Sequence, residues 1–373
     1  MAVSINFADL THTGSIVSAN TFPLGISMVA AYAKQELGDE IDFEIFKYPD
    51  EFNKHLQSGF PKIAAFSSYA WSFNLCLAFA SKIKEASPET VVIFGGVNFP
   101  SARDEQQAIL ARNHMIDFFI EGDGELPFVE LFNTLKEHDF DASALKQSRK
   151  VVPSTRYLVD GEIIAGEMMP RISDMNTIPS VYLDGMSDKF FDGVLTPMLE
   201  TVRGCPYSCT FCNDGWSYAS KTRRFSQERI YAELDYIAER TTVNEFIITD
   251  LNFGIFKEDV ETSHYLAKLQ DKHNFPKYLV QASAKNNKER IIEISKILRG
   301  ALAPGASVQS TDPAVLKAIK RKNLSVEDLA EVAKTRGDDD ATGMSEVIMG
   351  LPEDTKRGHF KSVFEMIDTG VTL

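Results

Sequence analysis

The sequence predicts an α/β protein: an N-terminal doubly wound, Rossmann-like parallel sheet followed by a partial (β/α) barrel. Up to about residue 140, short apolar β-branched runs alternate with amphipathic stretches, as β-α units require. The same alternation resumes at residue 196, after a stretch rich in turn signals. We therefore expect a Rossmann-like domain at residues 1–140, a linker with a β-hairpin at 141–195 and the partial barrel at 196–373.

Five parallel strands are expected in the first domain. They are SINFADL, IDFEIFKY, KIAAFSSY, TVVIFGG and MIDFFIEG, with helical patterns such as LGISMVAAYAKQEL between them. Doubly wound sheets bind ligands at the carboxyl ends of their strands. Gly95, Gly96, Gly122 and Gly124 lie at such ends, where a missing Cβ lets a ligand approach the backbone.

The linker carries a hairpin signal. RYLV and EIIA are separated by Asp160-Gly161, a dipeptide typical of two-residue β-hairpin turns. Pro153, Pro170 and Pro179 interrupt the surrounding chain and indicate an irregular connection.

The second β-α series should build the partial barrel. Its strands are PMLETV, NEFIITD, KYLVQAS, GASVQS and SEVIMG, and its helices include SQERIYAELDYIAER and SVEDLAEVAKT. Ser226 and Ser325 occupy N-cap positions, and Asp328 follows Ser325 at capping-box spacing. In such barrels the chemistry sits at the carboxyl ends of the strands. The chain stops at GVTL, where a sixth strand would begin, so we expect a truncated barrel.

Composition and charge exclude several classes of protein. The 373 residues carry a formal charge of −14, so no overall basic field exists to attract a nucleic acid. No apolar run approaches the roughly 20 residues that a bilayer crossing needs, and the N-terminus lacks the layout of a secretory signal. We expect a cytoplasmic protein with neither a nucleic-acid nor a membrane partner.

Three of the four cysteines form a C-x-x-x-C-x-x-C motif directly after the first barrel strand: Cys205, Cys209 and Cys212. Thiolates this close converge on one centre, and three of them leave one iron of a four-iron cluster open. A zinc site would need a distant fourth ligand, for which Cys76, His12 and His264 are the candidates. Free structural cysteines are the remaining alternative.

With its surroundings, this motif resembles the radical S-adenosylmethionine (SAM) enzymes that carry an N-terminal cobalamin-binding-like domain. In that family an aromatic residue precedes the last cysteine, and Phe211 stands there. The segments TDLNFG, SVQSTDPAVLKAIKRKN, VIMGLPEDT and IPSVYLDG resemble, respectively, the family's second strand, fourth strand, fifth-strand turn and entry into the barrel.

The resemblance implies three cofactors: a 4Fe-4S cluster, S-adenosyl-L-methionine and cobalamin. The cysteines would hold a 4Fe-4S cluster, whose open iron would be chelated by S-adenosyl-L-methionine, and reduction would release a 5′-deoxyadenosyl radical. Contacts to S-adenosylmethionine are expected from Phe211, Asp250, Asn252, Ser283, Gln309 and Gly350. For the polar residues of this set, turn and helix-cap chemistry is the alternative. Contacts to cobalamin are expected from Gly95, Gly96, Gly122, Gly124 and Ser67.

The usual histidine below cobalt is displaced here. Corrinoid domains often carry D-x-H-x-x-G, whereas this chain has Asp9, His12 and Gly14 in the spacing D-x-x-H-x-G. We therefore expect His12 not to ligate cobalt. Trp71 and Phe73 are expected either to contact the corrin or to close the sheet edge.

These expectations favour a cobalamin-dependent methyltransferase acting on an unactivated carbon or phosphorus of a small molecule. Its partner would be an electron donor such as flavodoxin or ferredoxin. One alternative is a radical SAM enzyme for cyclisation, ring contraction or oxidation, with the cobalamin domain used differently or vestigial. A non-enzyme alternative is an iron–sulfur or zinc protein that senses redox state or holds structure. No catalytic residue is assigned.

Overall fold

The computed structural model describes residues 2–14, 19–285, 287–302, 307–323, 325, 328 and 345–369. The chain divides into two compact units. The first comprises Met1–Ser173 with Thr177–Phe190, and the second comprises Asp174–Asn176 with Phe191–Leu373. The first unit therefore extends beyond the boundary at residue 140 that the sequence predicted.

A seven-stranded sheet forms the centre of the first unit. Its strands are β1 (Val3–Ala8), β2 (Ile41–Phe46), β3 (Ile63–Ser67), β4 (Val91–Gly95), β5 (Phe118–Ile120), β6 (Thr155–Val159) and β7 (Glu162–Ala165). They are ordered β2-β1-β3-β4-β5-β6-β7. The first five pair in parallel, as predicted, and the order reverses between β1 and β3, which is the switch point of a doubly wound sheet.

The predicted hairpin extends this sheet and does not form part of a separate linker. Strand β6 pairs antiparallel with β5 through Phe119 and Arg156, and β7 pairs antiparallel with β6. The two-residue turn uses positive φ at both Asp160 and Gly161, as a type I′ turn requires. Pairing with β5 satisfies backbone groups that a free linker would leave to solvent.

Six helices pack against the sheet of the first unit in the described residues: α1 (Leu24–Leu37), α2 (Pro49–Ser58), α3 (Phe73–Ala86), α4 (Arg103–Arg112), α5 (Glu125–Lys136) and α6 (Ala142–Gln147). A buried apolar cluster that includes Phe52, Phe66, Phe94 and Cys76 fills one layer of the core. The near-continuous apolar character of β3 and β4 follows from their burial on both faces.

Short strands and longer helices alternate in the second unit. Its strands are β8 (Met198–Leu199), β9 (Val202–Arg203), β10 (Arg223–Arg224), β11 (Glu245–Ile248) and β12 (Tyr278–Val280). Strands β12, β11 and β8 form a parallel sheet in that order, and β9 pairs antiparallel with β10. Parallel bridges Leu279–Leu302 and Gln309–Val347 continue the pattern. In the part of the chain that the structure describes, the strands form an open sheet and no closed barrel.

The described part of the second unit includes five helices. They are α7 (Gln227–Arg240), α8 (Lys257–His273), α9 (Lys288–Ile297), α10 (Pro313–Ala318) and α11 (Lys356–Asp368). The Ser226 hydroxyl accepts a hydrogen bond from the Arg229 amide at 3.3 Å. Ser325 and Asp328 exchange reciprocal bonds at 3.0 and 3.3 Å, although most of the helix predicted there lies outside the described residues.

Within the described residues, no helix is both long enough and apolar enough to cross a membrane.

Candidate functional site

The cysteine loop leaves β9 through a backbone crossing that only glycine fits. Gly204 has φ +106°, and a Cβ there would lie 2.7 Å from the Lys221 carbonyl oxygen. The Cys205 amide then donates to the Ala219 carbonyl at 3.0 Å. These contacts fold the loop back on itself immediately before the first thiol.

Around Cys209 the loop is equally compact. A Cβ on Gly215 would lie 2.1 Å from the Cys209 carbonyl oxygen, so the two backbones touch there. The Cys212 amide donates to that carbonyl at 3.2 Å, and the Thr210 amide donates to the Ile319 carbonyl at the end of α10 at 3.1 Å. The spacing of the cysteines is thus held by backbone contacts.

The three thiols lie within the second unit, with Cys205 and Cys209 buried and Cys212 half-buried. The Asn252 amide nitrogen donates to the Cys205 sulfur at 3.2 Å, and the Lys285 ammonium lies 3.9 Å from both the Cys205 and the Cys209 sulfur. Across the described residues, no three His, Cys, Asp or Glu side chains form a ready-made metal site. The assignment of the thiols as metal ligands therefore stays a prediction.

The donor set nevertheless fits a three-thiolate cluster better than a zinc site. Cys76 is buried in the core of the first unit, where its thiol donates to the Ser67 carbonyl and burial raises its pKa to about 12. His12 contacts the Trp71 carbonyl in that same unit, at 3.1 Å. His264 is exposed on α8. Cys76 is thus committed to the core of its own unit, and His264 is exposed to solvent.

The Asp250 carboxylate is committed to the protein itself. One oxygen accepts from the Thr201 amide at 2.7 Å and the Val202 amide at 3.0 Å, and the other accepts from the Thr201 hydroxyl. Desolvation by burial raises the pKa of Asp250 to about 7 against these hydrogen bonds. Asp250 therefore holds the turn between β8 and β9 through three hydrogen bonds, and its expected contact to S-adenosylmethionine stays a prediction.

Three side-chain amide oxygens at the strand ends have no hydrogen-bond partner. They belong to Asn252, Gln281 and Gln309, and each is buried. Gln309 also has φ +66°, a left-handed conformation that costs free energy for a non-glycine residue. Buried acceptors are normally satisfied, so these oxygens suit a ligand that offers N–H or O–H donors.

Ser283 lies beside this group. Its hydroxyl accepts from the Gln281 amide at 2.8 Å, and its backbone bridges to Phe253 in parallel register. Ser283 and Asn252 are therefore brought together by the ends of β11 and β12.

Phe211 and Gly350 have different surroundings. The Phe211 ring packs against the buried side chains of Val315, Ile319 and Leu351, with the Arg321 guanidinium 5.9 Å from the ring centre. Gly350 is exposed, with φ +81° and open space at its Cβ position. Phe211 thus provides an apolar wall beside the cysteines, and Gly350 provides a turn.

The glycines at the strand ends of the first unit differ in what a side chain at each position would contact. A Cβ on Gly96 would lie 2.9 Å from the Ser68 carbonyl oxygen, and Gly96 has φ +104°. Gly122 has φ +86°, and a Cβ on Gly124 would lie 3.0 Å from the Val29 side chain. At Gly95 a Cβ would lie 3.6 Å from the Ile120 carbonyl oxygen, an ordinary van der Waals contact. Packing therefore excludes a side chain at Gly96 but not at Gly95.

The same strand-end edge carries other sequence-predicted residues. Ser67 ends β3, and the hydroxyl of the neighbouring Ser68 is buried without a partner. Trp71 is 55% exposed and stacks on Tyr69 with ring centres 4.7 Å apart. Asp9 forms an ion pair with the buried Lys47, with 3.6 Å between the charged atoms. His12 lies in the loop after β1 and bonds the Trp71 carbonyl.

Sequence reasoning missed Lys285, Arg321 and Thr201. Arg321 is buried beside the loop and donates to the Ser307 carbonyl and, at 2.7 Å, to Asn323. Burial lowers the pKa of Arg321, while the adjacent Cys209 raises it. Lys285 stands five residues after β12, and its position at a strand end is the only signal that could have indicated it.

Comparison with known proteins gives a consistent picture. Residues 199–365 match the Radical SAM superfamily. The chain is 29% identical over 368 residues to the cobalamin-dependent radical SAM methyltransferase TokK of Streptomyces tokunonensis, covering 93% of this chain and 51% of that protein. It is 30% identical over 363 residues, with the same coverage, to a 2-(S-pantetheinyl)-carbapenam-3-carboxylate methyltransferase of Streptantibioticus cattleyicolor. The chain spans about half the length of these curated relatives.

A solved structure shares the fold. The radical S-adenosylmethionine methyltransferase TsrM of Kitasatospora setae superposes with a TM-score of 0.70 at 14% identity, covering 100% of this chain and 72% of that one. The predicted fold class, a doubly wound sheet followed by a partial barrel, is confirmed.

Proposed function

Because residues 199–365 are a radical SAM domain, we propose that this chain belongs to a cobalamin-dependent radical SAM methyltransferase acting on an unactivated carbon or phosphorus of a small molecule. The observation that carries the proposal is a loop of three thiols, two of them buried, whose Cys205 sulfur is bonded by Asn252, a strand-end residue with an unsatisfied amide oxygen. The names of the two relatives support methyl transfer over cyclisation or oxidation, because their similarity extends through both units.

Cys205, Cys209 and Cys212 would hold a 4Fe-4S cluster. When bound, the cluster supplies the electron that cleaves S-adenosylmethionine to a 5′-deoxyadenosyl radical. The loop would fix the positions of the three sulfurs through its own backbone hydrogen bonds to Ala219 and Ile319. Burial of two of the three sulfurs excludes water from the site, as radical chemistry requires. A single-electron donor such as flavodoxin or ferredoxin would be the protein partner.

S-adenosylmethionine would be bound at the strand ends beside the loop. The free oxygens of Asn252, Gln281 and Gln309 suit the ammonium and ribose hydroxyl donors of this ligand. Phe211 supplies an apolar surface on one side. Asp250 acts indirectly, by fixing the turn that leads into the cysteine loop.

Cobalamin would be bound at the strand-end edge of the first unit, and when bound it supplies the methyl group. Gly95, which ends β4 without a side chain, and the unpartnered Ser68 hydroxyl support this location. His12 bonds the Trp71 carbonyl, which supports the expectation that it would not ligate cobalt.

The first test measures iron and S-adenosylmethionine cleavage in the same protein. After anaerobic reconstitution and reduction, we expect the wild-type chain to bind iron and sulfide and to form 5′-deoxyadenosine slowly without substrate. Cys205→Ala should lose both properties, because the motif supplies every protein ligand of the cluster. Cys76→Ala is the matched control and should lose neither, since its thiol belongs to the apolar core of the first unit.

Two outcomes would contradict the proposal. One is tightly bound zinc with no 5′-deoxyadenosine after reduction, which would indicate a structural metal site. The other is loss of iron in Cys76→Ala as complete as in Cys205→Ala.

A further inference from the structure

A cation lies beside the cysteine loop, and the Radical SAM match does not account for it. The Lys285 ammonium is 3.9 Å from both the Cys205 and the Cys209 sulfur. It also lies 4.9 Å from the centre of the Tyr207 ring, which belongs to the same loop. The preceding Ala284 is buried, and its amide donates to the Phe253 carbonyl at 2.9 Å. The backbone that carries Lys285 is therefore fixed by strand pairing.

A neutral donor reaches one of the same sulfurs from a second strand end. The Asn252 amide nitrogen donates to the Cys205 sulfur at 3.2 Å, and Asn252 is buried. Lys285 follows β12 and Asn252 follows β11, so two neighbouring strands direct positive charge and a dipole at Cys205. The charged end of Lys285 is held at the cysteine loop, because it contacts two of the thiols and the ring of Tyr207 in that loop.

We propose that Lys285, assisted by Asn252, is a positioning residue that raises the reduction potential of the cluster held by the cysteine loop. The inference rests on the proposed function, since it presupposes that cluster. Three thiolates make the oxidised cluster site negatively charged, and reduction adds one further negative charge. A cation within about 4 Å of two ligand sulfurs stabilises the reduced state more than the oxidised one, and burial strengthens that effect. Hydrogen bonds to the sulfurs act in the same direction.

The test is a redox titration of the reconstituted full chain without S-adenosylmethionine. The electron paramagnetic resonance signal of the reduced cluster monitors the titration. Lys285→Met keeps the length of the side chain and removes its charge. We expect the ratio of reduced to oxidised cluster at a fixed potential to fall about tenfold, equivalent to a midpoint shift of about −59 mV for one electron. Lys285→Arg restores the charge and should return the midpoint close to the wild-type value.

Lys288→Met is the matched control. Lys288 begins α9, three residues further along the chain, and pairs with Asp328 at 2.7 Å. Removing its charge should leave the midpoint unchanged. A general effect of net charge on the potential would instead shift both methionine variants equally and would overturn the proposal.

The remaining outcomes are also decisive. An unchanged midpoint in Lys285→Met, with loss of S-adenosylmethionine binding, would assign Lys285 to the ligand carboxylate and overturn the inference. If Lys285→Met fails to bind iron while Lys285→Arg binds it, the charge is needed to assemble the cluster, and this role in assembly overturns the proposal that it tunes the potential. If both variants fail, the role of Lys285 is steric and the proposal is wrong. Failure of the wild type to form a cluster would contradict the proposed function itself.

Discussion

Two polar residues on one segment, Asp250 and Asn252, show how far side-chain roles can be predicted from sequence. Both were expected to contact a ligand, with turn chemistry as the alternative. The structure separates them: Asp250 bonds the backbone of Thr201 and Val202, whereas Asn252 bonds a cysteine sulfur and keeps a free oxygen. The pattern of residue types could not distinguish these roles, because each depends on which distant backbone approaches the strand end.

The buried carboxyl of Asp250 gives a prediction about pH. Its pKa is raised by burial from 3.8 to about 7. The folded state therefore binds more protons than the unfolded state between these values, so this contribution to stability is full below pH 4 and is lost as pH rises through 7. The slope can reach roughly 1.4 kcal/mol per pH unit.

Asp250→Asn should remove that slope while keeping the two backbone hydrogen bonds, because the amide oxygen still accepts from the Thr201 and Val202 amides. Urea denaturation at pH 5 and pH 7 measures the effect as a free energy of unfolding. We expect this free energy to fall with rising pH more steeply in the wild type than in the variant. Parallel pH profiles for the two proteins would show that Asp250 is ionised in the fold at both pH values.

In both units the candidate sites lie at the ends of the strands. The strands themselves were predictable from apolar runs, and so was the Asp160-Gly161 hairpin. What the hairpin pairs with was not predictable, because the register of β6 on β5 is set by long-range packing. The glycines were likewise visible in the sequence, but their surroundings were not. A side chain at Gly96 would clash with the Ser68 backbone, whereas a Cβ at Gly95 would make an ordinary contact with the Ile120 carbonyl oxygen.

That difference makes Gly95 the useful position for testing cobalamin binding. A Cβ at Gly95 would make only a van der Waals contact, 3.6 Å from the Ile120 carbonyl oxygen, so Gly95→Phe adds a ring at the end of β4 without a clash at Cβ and the fold should be retained. We expect the dissociation constant for hydroxocobalamin to rise at least about tenfold. A loss of about 1.4 kcal/mol in binding free energy is enough for that change. Equilibrium titration gives the constant, and circular dichroism checks the fold.

Ala86→Phe is the control for this experiment. Ala86 is exposed at the end of α3, which leads to the start of β4 and thus to the opposite edge of the sheet. Its affinity for hydroxocobalamin should equal that of the wild type. Absence of saturable binding by the wild type would remove the cobalamin and methyl-transfer proposals together.

At the scale of the whole chain, the order of strands and helices was largely predictable and the division into units was not. Alternating periodicities identified both β-α series. The first unit continues to Ser173 and includes Thr177–Phe190, because the hairpin and the segment after it pack with the first sheet. Contacts such as the ring of Phe22 with Tyr182, 6.2 Å between centres, join residues that lie 160 positions apart.

Loading of the cluster should stabilise the two units unequally. A ligand that binds only the native site stabilises the structure coupled to that site. Hydrogen–deuterium exchange should therefore slow in residues 203–215 and at the end of α10, where the Thr210 amide bonds the Ile319 carbonyl. Exchange in β3 of the first unit should not change. An equal gain of protection in Cys205→Ala treated in the same way would contradict the assignment of the thiols.

The buried position of Cys76 has a practical consequence for chemical labelling. It is the single cysteine of the sequence outside the motif, and burial keeps its thiol protonated, with a pKa of about 12. Thiolates are the nucleophiles that alkylating reagents attack, so Cys76 should remain inert in the native protein. Cys205 and Cys209 are buried as well, whereas Cys212 is half-buried, so a maleimide fluorophore should label Cys212 alone. The dye incorporated per chain would then measure the fraction of molecules in which the Cys212 thiol is not engaged by metal.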